Sequence, residues 1–366
     1  MLFAVCSDRG APGSTTTALA LAAARGLPAV VVEADPYGGD LALRLRPDGN
    51  RKHPLPPTPT VLGIAAGRSS QRPEAGPIGM PTERRDEPRH LDLWRDGSHE
   101  LNRAVRVVPG FLTAEQGTSL AWPVLTAALE AQTVPVFADL GRIHTGSPSM
   151  PLAAAADALI TVCRGDMGSV THMAERLEQL VTAIAERNGR PPLVLPVVVA
   201  DRRHGARLAG RVSDVLGETA AGPALRGVGW LAWDPSAVQN LQEGGDPWAK
   251  PLRKSHLMQS ARKVMWLLGM ATGIDHAEPE AGKRAKGSRK QSKAEAAAPQ
   301  QASAQAQPAS TWAQQPPLGL PAGWTPAAAG GQHVNGQPTN PRSPEPGRSL
   351  DELQRRWQTA PMEEET

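Results

Sequence analysis

The residues best suited to chemistry lie in three short stretches. The first is "SDRGAPGSTTTALA" over 7–20, where Gly10, Ala11, Pro12 and Gly13 lead into Ser14, Thr15 and Thr16. Glycines so placed let successive backbone N–H groups turn inward around an anion, and the following helix adds its positive N-terminus. A hydroxyl at the helix start, Thr15 or Thr16, can then reach Mg²⁺. The second stretch, "VVVEADPYGGDLA" over 30–42, presents Asp35 and Asp40 after an apolar run. The third, "VPVFADLGR" over 134–142, presents Asp139 in the same way. A carboxylate following an apolar strand is the group that holds Mg²⁺ in phosphoryl-transfer sites. The full phosphate-loop pattern, GxxxxGK followed by Ser or Thr, requires a glycine at position 8 and a lysine at position 14. This chain has Asp8 and Ser14 there.

These residues need strands and helices to bring them together. Consecutive apolar runs at 2–6, 29–34, 134–140, 158–163, 192–200 and 228–233 predict strands covered on both faces, with 103–110 as a seventh. Helical segments lie between them, at 15–25, 170–188, 206–216 and 255–270. This alternation predicts an α/β fold: a mostly parallel twisted sheet with helices on both faces. Ligands bind such sheets outside the carboxyl ends of the strands, so the loop at 8–16, Asp35 and Asp139 are expected on one rim.

The apolar segments end near residue 275 of 366, which sets the expected folded domain at 1–275 with a polar surface insertion over 67–90. Residues 276–348 have linker composition, basic at first and then rich in Ala, Gln and Pro, and are expected to be disordered. At 348–357, "RSLDELQRRW" combines a capping-box pattern with Leu350, Leu353 and Trp357 on one stripe, which predicts a short amphipathic helix over 349–358. The net charge of +3 excludes a strong whole-molecule attraction to nucleic acid. The basic run 282–293 is the place for non-specific DNA or anionic-lipid contact, with a solvated linker as the alternative. Cys6 and Cys163 lie in separate apolar runs and read as buried, reduced thiols. With no apolar run long enough to span a membrane, the expectation is a soluble, cytoplasmic protein.

Other polar residues have plainer readings. Asp40 suits the N-cap of the helix that follows it, and Asp234 a turn or cap before Pro235. His144 and His172 have no partner at metal-ligand spacing. Trp230 and Trp233 are expected to pack in the core from an inner strand. The amphipathic helix ending near residue 271 is expected to close the core, with membrane-surface binding as the alternative.

On the order and spacing of these motifs the chain resembles the deviant Walker A ATPases, the ParA/MinD group, over residues 1–270. "RGAPGST" at 9–15 corresponds to a loop reading KGGxGK followed by Thr or Ser. The resemblance sets Arg9 in the place of the signature lysine that reaches across a dimer, and Ser14 in the place of the Walker lysine. It makes Thr15 and Asp139 the Mg²⁺ ligands and Asp35 the aspartate that orients the attacking water or contacts the metal. Asp201, in "VVVADRR", falls where the family contacts adenine, and "VGWLAWDPSAVQNLQEG" at 228–244 resembles a late family segment. Loops of the "KGSPGVTTTALALA" type, also without the lysine, mark an actinobacterial MinD-like branch that this chain looks closest to. The implied cofactors are ATP and Mg²⁺, and the implied state is a homodimer that recruits a protein partner. The implied function is a nucleotide-dependent switch in chromosome partitioning or in pilus or secretion assemblies. If it hydrolyses ATP, it is a slow ATPase. The alternative is a nucleotide-free scaffold on an ATPase fold, acting through its surface, basic run and C-terminal helix.

Overall fold

Eight strands form one sheet in the order β3-β4-β2-β5-β1-β6-β7-β8. They are β1 (Leu2–Ser7), β2 (Ala29–Glu33), β3 (His99–Asn102), β4 (Val105–Val108), β5 (Val136–Arg142), β6 (Ala158–Arg164), β7 (Val194–Ala200) and β8 (Gly229–Ala232). The helices are α1 (Ser14–Arg25), α2 (Leu41–Arg44), α3 (Val61–Ala65), α4 (Ala114–Thr118), α5 (Trp122–Glu130), α6 (Met150–Ala155), α7 (Met167–Asn188), α8 (Gly205–Gly217), α9 (Pro235–Gln242) and α10 (His256–Thr272). This computed structural model describes residues 1–9, 13–47, 55–56, 58–66 and 91–277. The expected insertion at 67–90, the basic run at 282–293 and the helix at 349–358 lie outside the described residues. Of the linker expected over 276–348 only the first two residues are described, and Ala277 N donates to Arg25 O at 2.8 Å.

Every strand pairing is parallel except β3 with β4. The all-apolar strands are buried on both faces, as consecutive hydrophobic residues require. Alternation along β1 sorts the core. Phe3 and Val5 join α1, α9 and α10 on one face, whereas Leu2, Ala4 and Cys6 join α3, α5 and α6 on the other. Phe3 and Phe137 stack across β1 and β5 with centroids 5.1 Å apart. A third cluster seats α7 and α8 against β6 and β7.

Three sequence expectations change. The polar segment His99–Asn102 forms an antiparallel edge strand that no apolar run announces; Arg106 holds it, bonding Ser98 Oγ at 3.0 Å. β8 is an edge strand, so Trp230 is only partly buried and Trp233, just past its end, is 63% exposed. Asp40 sits at the N-cap of α2 without bonding its backbone; its carboxylate pairs with Arg44 instead. The apolar side of α10 (Leu257, Met258, Ala261, Val264, Met265, Leu268) is buried in the core, leaving no apolar face for a membrane on that side. Among the described residues no helix is long and apolar enough to cross a membrane. Both cysteines are free, and burial pushes both thiols up.

Candidate functional site

Strand register assembles the site. Asp139 lies opposite Val5 of β1 and opposite Glu33 of β2, because β5 runs between those strands. Period-two alternation puts Asp139 on the same face as Phe137, the face that α1 covers. The first turn of α1 therefore meets this carboxylate. Gly13 makes the turn possible: its φ of 102° is a left-handed conformation that a residue with a Cβ adopts only under strain.

Thr15 Oγ1 donates to Asp139 Oδ2 at 2.5 Å, and Gly141 N donates to Asp139 Oδ1 at 3.1 Å. Asp139 is 2% exposed, and burial pushes its pKa up against these hydrogen bonds and that from Ser14. Glu33 is buried as well. Leu41 N donates to its Oε1 at 3.0 Å and Gly110 N to its Oε2 at 2.9 Å, yet burial still raises its pKa to about 7. Gly39 closes over this carboxyl, where a Cβ would come within 2.1 Å. Asp35 accepts from Tyr37 N at 2.9 Å and is raised to about 6, chiefly by burial. A Cβ on Gly141 would lie 1.8 Å from Asp35 Oδ2, so the glycine at the end of "ADLG" is what lets Asp35 come up to β5.

These groups border one cavity of about 620 Å³. Gly13, Ser14, Thr15 and Thr16 line it from the loop, Asp35 and Asp139 from the strand ends. The volume falls in the range of small-molecule sites. A second, apolar cavity of about 230 Å³ adjoins it and shares Gly13, Thr16 and Trp233; Val199, Leu231, Val238 and Leu257 form its walls. The hydroxyl of Thr15 and the carboxylate of Asp139 are hard oxygen donors on one side of the 620 Å³ cavity. Mg²⁺ is commonly held by one or two such groups plus substrate phosphates and water, so the donor set fits it. Among the described residues no three His, Cys, Asp or Glu converge as a metal cage.

The remaining expected residues are placed differently. Gly10, Ala11 and Pro12 lie outside the described residues. Arg9 stays out of the large cavity: it projects beside a recess of about 100 Å³, with its guanidinium 3.5 Å from His172 Nδ1. Asp201 borders neither of these two cavities; its carboxylate accepts from Arg203 N at 2.8 Å and shapes the entry to α8. Asp234 caps α9, accepting from Ala237 N at 3.2 Å, and also accepts from His256 N at 3.1 Å. His144 bonds the Tyr37 hydroxyl at 3.0 Å. Asp8, in the consensus glycine position, ion-pairs with Arg176 of α7 at 2.7 Å.

The structure adds cavity residues that motif reading passed over: Glu33, Arg44, Arg142, Arg164 and Trp233. Glu33, Arg142 and Arg164 each end an apolar strand. A polar residue in that position of a parallel sheet points at the ligand rim, and that signal was available in the sequence.

No family model and no curated protein matches the chain. Solved structures similar to it include a ParA family ATPase from Chlorobium tepidum, 16% identical, covering 73% of this chain and 98% of that one with a TM-score of 0.49. The cell division ATPase MinD of Pyrococcus furiosus is 16% identical, covering 74% and 98% with a TM-score of 0.48. A plasmid partition protein of Borrelia burgdorferi bound to AMPPNP is 10% identical, covering 73% and 97% with a TM-score of 0.49. At such identities the chemistry rests on the residues of this chain.

Proposed function

We propose that the chain is a MinD/ParA-like nucleotide-dependent switch. ATP with Mg²⁺ binds at the carboxyl ends of β1, β2 and β5 and favours a homodimer. The dimer surface positions or assembles a partner complex of the partition, pilus or secretion type. The observation that carries this reading is the meeting of Thr15, Asp139 and Asp35 around one cavity at the N-terminus of α1.

Thr15 and Asp139 would hold Mg²⁺, which when bound supplies positive charge to the phosphates. Ser14, Thr15 and Thr16 at the start of α1 line the same space, where a helix N-terminus favours an anion. Asp35 is the group positioned to orient a water at the cavity's edge. Ser14 offers a hydroxyl where an ammonium would neutralise charge developing in phosphoryl transfer, so turnover is slow or absent. That suits a switch read out by binding more than by hydrolysis. Light scattering on the purified full chain tests the reading. Its mass should double with ATP and Mg²⁺ and stay unchanged in Asp139→Ala protein. Equal mass with and without nucleotide would contradict it.

A further inference from the structure

The loop has no lysine of its own, yet three guanidinia reach the large cavity from other elements: Arg44 of α2, Arg142 at the end of β5 and Arg164 at the end of β6. Their surroundings differ. Arg44 is paired with Asp40, its Nη2 2.5 Å and Nε 2.6 Å from Asp40 Oδ1, and its field also reaches Asp139. Arg142 directs its field at Asp35, whose ionised form it favours.

Arg164 has no paired acid: among the described residues no carboxylate lies within ion-pair distance of it. Its field falls on Asp166, whose ionised form it favours. The acid nearest in sequence, Asp166, is used on Ser169, accepting from its N at 2.9 Å and its Oγ at 2.7 Å. The Arg164 guanidinium instead lies over Trp233, 6.0 Å from the ring centroid. That ring borders both the 620 Å³ cavity and the apolar one beside it. Contact with an aromatic face orients the planar fork and leaves its N–H groups free for an anion.

Register fixes where this charge stands. Val162 pairs with Ser7, the last residue of β1, so Arg164 lies two residues further on, beside the start of the loop. β5 flanks the other side of β1, so Asp139 and Arg164 stand on opposite sides of the loop. Arg164 also borders the recess that holds Asp8 and Arg9.

We propose that Arg164 supplies, from the neighbouring strand, the positive charge the loop lacks at Ser14, by docking its guanidinium on the terminal phosphates of a bound nucleoside di- or triphosphate. This rests on the nucleotide-binding reading above. An arginine differs from a lysine there in offering two parallel N–H donors, which suits phosphate oxygens.

The test is a titration of the full chain with fluorescent N-methylanthraniloyl ATP and Mg²⁺, repeated with tripolyphosphate as competitor. Wild type, Arg164→Ala and Arg164→Lys are compared. Arg164 is exposed, and melting curves of the three proteins verify that they fold alike. The proposal expects Arg164→Ala to bind at least tenfold more weakly, to lose competition by tripolyphosphate, and to recover in part in Arg164→Lys. Saturable wild-type binding with Arg164→Ala within twofold of it would overturn the role of Arg164 and leave the nucleotide site standing. Absence of wild-type binding would overturn the nucleotide reading and this proposal with it.

Discussion

Thr15 Oγ1 and Asp139 Oδ2 are 2.5 Å apart, which joins the first turn of α1 to the middle of the sheet through a part-buried hydroxyl–carboxylate contact. The left-handed Gly13, two residues before Thr15, and the buried carboxylate of Asp139 in an apolar strand each cost folding free energy. Their pairing gives the cost a use.

Asp139→Asn separates that use from stability. Burial opposes the charge on Asp139, and its charge in turn raises Glu33 and Asp35. An amide of the same shape removes the repulsion; its oxygen can accept from Gly141 N while its NH2 donates to Thr15 Oγ1, the hydroxyl turning from donor to acceptor. The expected unliganded melting temperature is equal to or above that of wild type, with Mg²⁺-dependent nucleotide binding abolished. A large loss of stability without loss of binding would argue for a purely structural carboxylate.

Glu33 sets a pH dependence of known sign. Its pKa is raised from 4.5 to about 7 in the folded chain, so the folded state prefers the protonated acid. The resulting stability is fully present below pH 4.5 and is lost as pH rises through about 7. Asp35, raised from 3.8 to about 6, acts in the same direction over a lower window. Denaturant unfolding should show a decline between pH 5 and 8 of about 3 kcal/mol at most from Glu33. Glu33→Gln should flatten the upper part of that curve. It should also cost about 1–3 kcal/mol, because one amide oxygen cannot serve both Leu41 N and Gly110 N.

Gly141 and Gly189 form a matched pair of substitutions. Both have positive φ, 57° and 70°. A Cβ at Gly189 meets nothing within 4 Å, whereas at Gly141 it lands 1.8 Å from Asp35. Gly189→Ala should cost about 1–2 kcal/mol from backbone strain alone. Gly141→Ala should cost clearly more and should weaken nucleotide binding by displacing Asp35. Equal losses in the two proteins would show that Asp35 is not held by this approach.

Asp8→Gly restores the consensus glycine but removes the 2.7 Å ion pair to Arg176, whose partners are 11% and 28% exposed. If that pair fixes the start of the loop, restoring the consensus weakens nucleotide binding. The stability cost is expected to be modest, about 1 kcal/mol. A gain in affinity would mean that Asp8 obstructs the loop.

The layered sheet and the cavity's acidic side were readable because they rest on local signals: consecutive β-branched residues, and an aspartate ending each run. The antiparallel strand His99–Asn102 was not, since it owes its place to pairing with Val105–Val108 and to Arg106, contacts set by tertiary structure. Trp233 was misplaced for a related reason. The apolar run at 228–233 marks a strand but carries no mark of its position in the sheet, and β8 is an edge. The cavity's arginines escaped notice because motif patterns look for a cation within the loop, whereas strand order brings Arg142 and Arg164 to it from either side of β1.

Titration of the purified full chain with fluorescent ATP analogue, with and without Mg²⁺, tests the central claim most directly. Saturable binding that depends on Mg²⁺ and disappears in Asp139→Asn protein is the predicted result. No binding at millimolar nucleotide would contradict it and leave a scaffold that keeps the sheet without the switch.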